Sequence, residues 1–310
     1  GRESDARQRR VYAAPGVRSD MDKQAVREAV WDAFDEGDQA RFPFPPHDRI
    51  PNFAGADAAC ERLTATPEWA AARTLKCNPD APQLPVRRAA LRAGKTLYVA
   101  QPRLRDPDPF LRIDPDDLAV ADAASDGGGG ESAAESDDAT VDAPTVDDAT
   151  TVSGISTHGT PVAPEAVPRV DLVVSGSVGV TTDGARIGKG EGYSDLEWGL
   201  LRELDAVDVD TTVATTVHEL SVLDGPESAV AGDGGAGDGG TGNAADDADP
   251  NDTLPEPDAH DVPLDLIATP ERTIRTETPY ARPFGIDWEA LDDERLDAIP
   301  ALAARSPADE

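Results

Sequence analysis

The sequence predicts an α/β fold, a single three-layer domain with a mostly parallel sheet flanked by helices and interrupted by two acidic disordered inserts. A strand, a helix and a second strand follow one another at Thr74–Cys77, Val86–Ala93 and Thr96–Ala100, and Gly94 closes the helix. A strand–helix–strand unit of this length joins parallel strands. Further apolar runs predict strands at 170–175, 212–217 and 264–268, and a helix over Tyr193–Leu204 separates the first two.

Helices at the two ends of the chain complete the predicted domain. Asp22 is an N-cap for a helix over Lys23–Glu36, and Gly37 ends it. Two shorter helices follow, one over about Ala56–Leu63 and one opened by Pro67. The tail over Asp287–Ala304 is predicted to be helical, with four apolar anchors, namely Trp288, Leu291, Leu296 and Ile299.

The domain boundaries follow from changes in composition. Residues 1–20 contain several Arg and no apolar pattern, which predicts a disordered arm or an extension upstream of a protein that begins at Met21. The domain then runs over 21–310, with low-complexity inserts at about 122–160 and 225–258. These inserts consist largely of Gly, Ser, Ala, Thr and Asp, which bury too little apolar surface to offset the entropy of ordering.

The charge balance constrains the partners and the environment. The chain has 61 acidic and 28 basic residues, a net charge of −33, and little Lys. A dense acidic surface keeps a protein hydrated at high salt, so we expect a halophilic protein, and this charge disfavours nucleic acid as a partner. With no apolar run that would cross a membrane and only two cysteines, we expect a cytoplasmic protein, and we predict a monomer.

The strongest local pattern is Arg-Ile-Gly-Lys-Gly-Glu-Gly-Tyr-Ser-Asp at 186–195, between a predicted strand and a predicted helix. Alternating glycines at a helix start leave backbone N–H groups free to point at an anion. Arg186 and Lys189 add positive charge, so the loop predicts a phosphate site. Ser194 and Glu197 have capping-box spacing, which predicts that the helix starts at Ser194.

The glycine spacing matches neither a Rossmann fingerprint nor a Walker A loop. The loop resembles the Arg-Leu-Gly-x-Gly-x-Gly-Tyr-Tyr-Asp signature of the 5-formyltetrahydrofolate cyclo-ligase, or methenyltetrahydrofolate synthetase, family. Lys-Gln-Ala-Val-Arg at 23–27 is similar to the family's N-terminal Lys-x-x-Leu-Arg, and the acidic segment at 260–265 is similar to its C-terminal block. Glu191 and Ser194 depart from the signature, and the resulting pattern looks more like the divergent synthetase-like branch of the family.

The resemblance implies an ATP- and Mg²⁺-dependent enzyme that cyclises 5-formyltetrahydrofolate to 5,10-methenyltetrahydrofolate through a phosphorylated formyl intermediate. It implies catalytic roles for Lys189, Tyr193 and Arg186. Lys23, Arg27, Gly188, Gly190 and Gly192 would bind the ATP phosphates. Asp195 and Asp261 would hold Mg²⁺, directly or through water. The implied partners are therefore ATP and a small-molecule folate.

Each of these roles has a simpler structural alternative. In this alternative, Lys23 and Arg27 lie on a solvated helix face. Asp195 is then only a helix cap, and Asp261 is only a turn residue. Arg87, Arg88 and Arg92 are predicted to form a solvated face as well. Arg49, Lys76 and Arg103 fall near strand or loop ends, where ordinary surface roles are favoured over contact with a polyglutamate tail of the folate. For the whole chain, the alternative is a non-catalytic nucleotide- or RNA-interacting module on the same fold. A sugar-phosphate enzyme of related architecture is a weaker third option.

Overall fold

A computed structural model describes residues 22–119, 143–223 and 255–307. Within them the helices are α1 (Lys23–Glu36), α2 (Ala56–Thr64), α3 (Pro67–Ala71), α4 (Leu84–Arg92), α5 (Val146–Thr150), α6 (Val152–His158), α7 (Tyr193–Glu203), α8 (Asp293–Ala298) and α9 (Pro300–Ala303). The strands of the main sheet are β3 (Thr74–Cys77), β4 (Thr96–Ala100), β5 (Phe110–Ile113), β6 (Thr160–Val162), β7 (Leu172–Val174), β10 (Thr212–Thr216), β12 (Leu266–Ala268) and β13 (Thr273–Arg275). Five short strands lie outside it, namely β1 (Ala40–Arg41), β2 (Asn52–Phe53), β8 (Gly179–Thr181), β9 (Arg186–Ile187) and β11 (Val222–Leu223).

The main sheet has the order β13-β12-β10-β7-β3-β4-β5-β6. Its five central strands, from β12 to β4, are all parallel. Strands β13 and β5 pair antiparallel at the two sides, and β6 pairs antiparallel with β5. The chain winds from β3 to β4 in one direction and from β7 to β12 in the other, so the strand order reverses between β3 and β7. The predicted mostly parallel sheet is confirmed.

Helices cover both faces of this sheet, as the three-layer prediction requires. On one face, Trp198, Leu200 and Leu201 of α7 pack with the C-terminal helix α9 over the central strands. Helices α2 and α4 cover the other face of the same central strands. Helix α1 packs separately against the small sheet β11-β8-β9, so it lies beside the chain segment that leads into the glycine loop.

Several predicted elements form as expected. Asp22 Oδ1 accepts a hydrogen bond from Ala25 N at 2.8 Å and begins α1, and Gly37 follows its end. Strands β3 and β4 have the predicted bounds. Strands β5 and β6 are not predicted by the sequence. Strand β5 has only four residues in a Pro- and Asp-rich region, and the edge strand β6 contains Pro161, so neither shows a clear periodic pattern.

The helix predicted over Tyr193–Leu204 forms, but the capping box predicted at Ser194 and Glu197 is wrong. Helix α7 begins after Gly192, whose φ is +68°, and it has no side-chain cap. Glu197 cannot close a capping box because its carboxylate lies buried against Lys76 Nζ. The tail prediction is also wrong in part, because Asp292 caps a new helix and Pro300 opens another, which divides the tail into short pieces.

The first predicted insert is ordered at its end. Thr145 and Asp148 form a capping box at the start of α5, and Ala149 is fully buried against α4. Arg87, which was predicted to be solvent exposed, is completely buried and donates from Nε to Thr150 O at 3.0 Å. Residues 120–142 of this insert and 224–254 of the second lie outside the described residues, so the predicted domain scheme stays a prediction.

Candidate functional site

A cleft of about 660 Å³ opens at the carboxyl ends of the central strands. One wall is formed by Asn78 and Asp80, which follow β3, and by Gly176, which follows β7. The cleft therefore lies where the strand order reverses, which is the position where open α/β sheets bind ligands. The glycine loop and the start of α7 form the facing wall, as the sequence predicts, although Gly190 itself is not among the lining residues.

The glycine loop presents its backbone to this cleft. Gly190 and Gly192 have φ angles of +99° and +68°, which L side chains rarely adopt. The N–H groups of residues 188–195 donate no hydrogen bond to any part of the chain that the structure describes. A run of free N–H groups at a helix start is an anion-binding arrangement.

Arg186 lies below the loop with its side chain only 2% exposed. It donates to Asp195 Oδ1 and, from Nη1, to Gly176 O at 3.1 Å. Burial alone would lower the pKa of Arg186, but the charge of Asp195 and the hydrogen bond to it raise the pKa above its ordinary value. Its Nε is buried without a hydrogen-bond partner among the described residues, so Arg186 keeps an unused donor.

Lys189 extends from the loop along the cleft wall. Its Nζ lies 2.8 Å from Glu191 Oε2, and the other oxygen of Glu191 lies 3.9 Å from Arg103 Nη2. Arg103 follows β4 on the other side of the cleft. Glu191 thus joins a cation of the glycine loop to a cation of the opposite wall.

Lys23 and Arg27 support the loop region from α1 and are not among the residues that line the cleft. Arg27 Nε donates to Gly188 O at 2.7 Å. Lys23 Nζ lies 2.5 Å from Asp261 Oδ2 and 2.6 Å from Asp258 Oδ2. Burial lowers the pKa of Lys23, but the two carboxylates outweigh it and raise the pKa.

The two predicted metal ligands occupy different positions. Asp195 lines the cleft, where its Oδ1 accepts from Val262 N at 3.1 Å in addition to Arg186. Asp261 lies outside the cleft lining, next to Asp258 and His260, and its Oδ2 already contacts Lys23. The structure therefore brings one of the two carboxylates into the cleft, and the metal role of both stays a prediction.

Tyr193 lines the cleft at the first residue of α7, and Arg295 of α8 fixes its position. The guanidinium carbon of Arg295 lies 5.2 Å from the centre of the Tyr193 ring. Arg295 also donates from Nη2 to Glu191 O. The C-terminal tail therefore contacts the glycine loop at Glu191 and the start of α7 at Tyr193, which the sequence patterns did not predict.

The floor of the cleft contains further polar residues that sequence reasoning did not assign to the site. Glu197 is buried, and burial raises its pKa although its partner Lys76 opposes the shift. Asn78 Nδ2 donates to Glu197 Oε2 at 3.3 Å. Burial also raises the pKa of Asp80, against the opposing charges of Lys189 and Arg87. The sequence gives little indication that Lys76 of β3 and Glu197 of α7 form an ion pair, because the pairing depends on how α7 packs over the sheet.

Comparison with known proteins decides the family. The sequence profile of the 5-formyltetrahydrofolate cyclo-ligase family matches residues 22–225, which is more than half of the chain. The chain belongs to this family. The resemblance read from the glycine loop and the flanking blocks is therefore confirmed.

Members of this family that resemble the chain include methenyltetrahydrofolate synthase domain-containing proteins of animals. The protein of Bos taurus is 35% identical over 285 residues, and that of Mus musculus is 36% identical over 282 residues. These alignments cover 92% and 91% of this chain and 62% of each relative. The chain thus spans about three-fifths of the length of these relatives.

A solved structure of Aquifex aeolicus 5,10-methenyltetrahydrofolate synthetase is also similar, with a TM-score of 0.43 and 17% identity. The match covers 84% of this chain and 96% of the other. Separately, no helix within 22–119, 143–223 and 255–307 has the length and hydropathy that a membrane crossing requires.

Proposed function

We propose that this cyclo-ligase family member uses ATP and Mg²⁺ to convert 5-formyltetrahydrofolate into 5,10-methenyltetrahydrofolate. The observation that carries the proposal is the glycine loop, whose free N–H groups and two cations face a cleft at the switch point of the sheet. The cleft volume of about 660 Å³ falls in the usual range of small-molecule sites. Family membership supplies the reaction that this anion site would serve.

The residues present fit the phosphates of ATP. Arg186 has a buried, unpartnered Nε, and the loop leaves consecutive N–H donors unused within the described residues. We assign triphosphate binding to the loop N–H groups, Lys189 and Arg186. Lys23 and Arg27 act through the loop and its neighbouring carboxylates, because Arg27 holds Gly188 and Lys23 holds Asp261.

The carboxylate of Asp195 fits Mg²⁺, since it lines the cleft and uses only one oxygen in its contacts with Arg186 and Val262. When bound, Mg²⁺ would neutralise phosphate charge. Asp261 acts indirectly in this proposal. It is followed by Val262, whose N–H donates a hydrogen bond to the Asp195 carboxylate.

Catalysis in this proposal is positioning and charge stabilisation, because both reacting nucleophiles belong to the substrate. The formyl oxygen takes the γ-phosphoryl group of ATP, N10 attacks the formyl carbon, and phosphate leaves as the ring closes. Lys189 and Arg186 stabilise the charge on the transferring group. Tyr193 lines the cleft next to the glycine loop, and in this proposal it would contact the reacting groups. In this proposal Asp80 would accept the proton that N10 loses, because it lines the cleft and burial raises its pKa.

A turnover assay tests this function directly. With ATP, Mg²⁺, high salt and 5-formyltetrahydrofolate, the purified chain should generate the absorbance of the methenyl product. Omission of ATP or addition of a chelator should abolish the signal. Folded protein that binds nucleotide but yields no product would instead support the non-catalytic module, an option favoured by the internal carboxylate partners of Lys189 and Arg186.

The geometry of the loop gives a separate prediction. In Gly190→Ala, the new Cβ would lie 3.2 Å from Arg27 Cζ at a backbone φ of +99°. We expect a loss of about 1–3 kcal/mol in unfolding free energy or a rearranged loop, together with weaker ATP binding in calorimetry.

Gly94→Ala is the matched control for this variant. Gly94 also has a positive φ, +71°, but its Cβ would meet no atom within 4 Å, and it lies away from the cleft. The control should lose stability and keep its affinity for ATP. Equal affinities in the two variants would argue against the loop as the nucleotide site.

A further inference from the structure

We propose that Glu191 is an internal competitor for the phosphate site. Its carboxylate occupies the position between Lys189 and Arg103, and the phosphates of an incoming nucleotide displace it. The proposal rests on the proposed function, since it concerns the same anion site, and it adds Arg103 as a phosphate ligand from the opposite wall.

The first argument is the position of the Glu191 carboxylate. Its two oxygens point to two different cations, Oε2 to Lys189 Nζ at 2.8 Å and Oε1 to Arg103 Nη2 at 3.9 Å. All three side chains line the same cleft. Two cations on opposite walls with one anion between them form a site for anionic oxygens, and a carboxylate is the internal group that fits it.

The second argument is that the backbone of Glu191 is held at the edge of the cleft. Glu191 stands between Gly190 and Gly192, both with positive φ, and Arg295 holds its carbonyl oxygen. The side chain can therefore reach Lys189 and Arg103 from a restrained backbone, while its own torsions stay free to move the carboxylate away.

The third argument concerns Arg103. Its own φ is +63°, and the next residue, Leu104, is fully buried and donates from N to Gln101 O at 3.0 Å. The short turn after β4 is thus anchored in the core, and it presents the Arg103 side chain to the cleft. Among the described residues, the ion pair with Glu191 is the contact of the Arg103 guanidinium.

The fourth argument is that the arrangement is displaceable. The side chains of Glu191, Lys189 and Arg103 are 38%, 35% and 54% exposed, so water screens their attraction. Exposed ion pairs of this kind are weak. A triphosphate carries more charge and more acceptor oxygens than one carboxylate, and it also accepts from the loop N–H groups. Glu191 therefore lowers the affinity for phosphate without blocking the site.

Calorimetric binding of inorganic tripolyphosphate and of ATP, at one fixed salt concentration, tests the proposal. Glu191→Gln should bind both ligands about three- to tenfold more tightly than the unmodified chain, because the competing charge is gone. Arg103→Gln should bind them more weakly. In the double variant, the gain from Glu191→Gln should shrink, because one of the two released cations is missing.

The control is Asp205→Asn, which removes one negative charge from a 96% exposed side chain beyond the opposite end of α7. It should leave both affinities unchanged, and circular dichroism should show all variants folded. Unchanged or weaker binding by Glu191→Gln would overturn the proposal. An equal gain with and without Arg103 would overturn it as well, because the gain would then reflect net charge alone.

These outcomes separate the competitor role from the proposed function. If the affinities change as expected but no methenyl product forms, the competitor role stands and the folate reaction fails. If product forms but Glu191→Gln binds ATP no better, the reaction stands and the competitor role fails. A chain that binds neither ligand in any variant contradicts both.

Discussion

Lys189→Ala should lower kcat/KM for ATP-dependent formation of the methenyl product by about 10²–10³-fold, the usual cost of removing one preorganised group that stabilises transition-state charge. Lys189 extends from the glycine loop into the cleft. Among the described residues, its ion-pair partner is Glu191. Its loss also leaves the Glu191 carboxylate, beside the phosphates, with only the more distant Arg103 as an ion-pair partner among the described residues. Both effects act against the reaction in the same direction.

Folding of this variant should be nearly intact. The Lys189–Glu191 pair is solvent accessible, so its loss changes the unfolding free energy by less than about 1 kcal/mol. Arg92→Ala is the matched control, because it removes an exposed cation that pairs with Asp147 away from the cleft. Steady-state kinetics of both variants, with denaturation curves, make the comparison. Unchanged kinetics in Lys189→Ala would remove this residue from the site.

Lys76→Met should lower the unfolding free energy by about 3–5 kcal/mol, the typical cost of breaking a buried ion pair. Lys76 on β3 and Glu197 on α7 are both almost fully buried, with side chains 2% and 5% exposed. Without the ammonium group, the Glu197 carboxylate keeps, within the described part of the chain, only the hydrogen bond from Asn78 Nδ2. Its charge is then unpaired in the interior, and protonating it costs free energy at neutral pH. Such a loss is a large share of the stability of an ordinary domain.

The double variant Lys76→Met/Glu197→Gln separates the unpaired charge from the loss of packing. It removes both charges and keeps an acceptor for Asn78, so it should recover most of the lost stability. Urea denaturation with an unchanged m-value measures this difference. A double variant no more stable than Lys76→Met would show that the charge is not the cause. A loss below about 1 kcal/mol in the single variant would contradict the buried pair itself.

The sequence was most informative where local chemistry decides the structure. Asp22 and Gly37 bound α1 because a cap and a terminator act within a few residues of the helix they limit. The strands Thr74–Cys77 and Thr96–Ala100 could be predicted because their apolar runs are bounded by turn residues and Pro102. The family signature located the cleft wall for the same reason, since glycine spacing is a local property.

Contacts between distant segments could not be read in this way. Glu197 has the spacing of a capping residue, but the burial of Lys76 on another element decides its position. Arg87 reads as part of a polar helix face, yet α5 covers it and supplies the Thr150 carbonyl. Arg295 gives no sequence signal for a role in the glycine loop, because it is far from Tyr193 in the sequence and only the fold brings the two together.

Because Arg295 holds the glycine loop, the protein cannot be shortened to its N-terminal part without loss of that contact. The family profile ends at residue 225, but β12 and Arg295 both follow that point. A fragment trimmed to the profile would contain every residue of the loop and lack the guanidinium that holds it, as well as a strand that pairs with β10. The smallest unit that keeps this loop and the main sheet intact is therefore larger than the segment that the family profile matches, and shortened versions should retain at least residue 303, the last of α9.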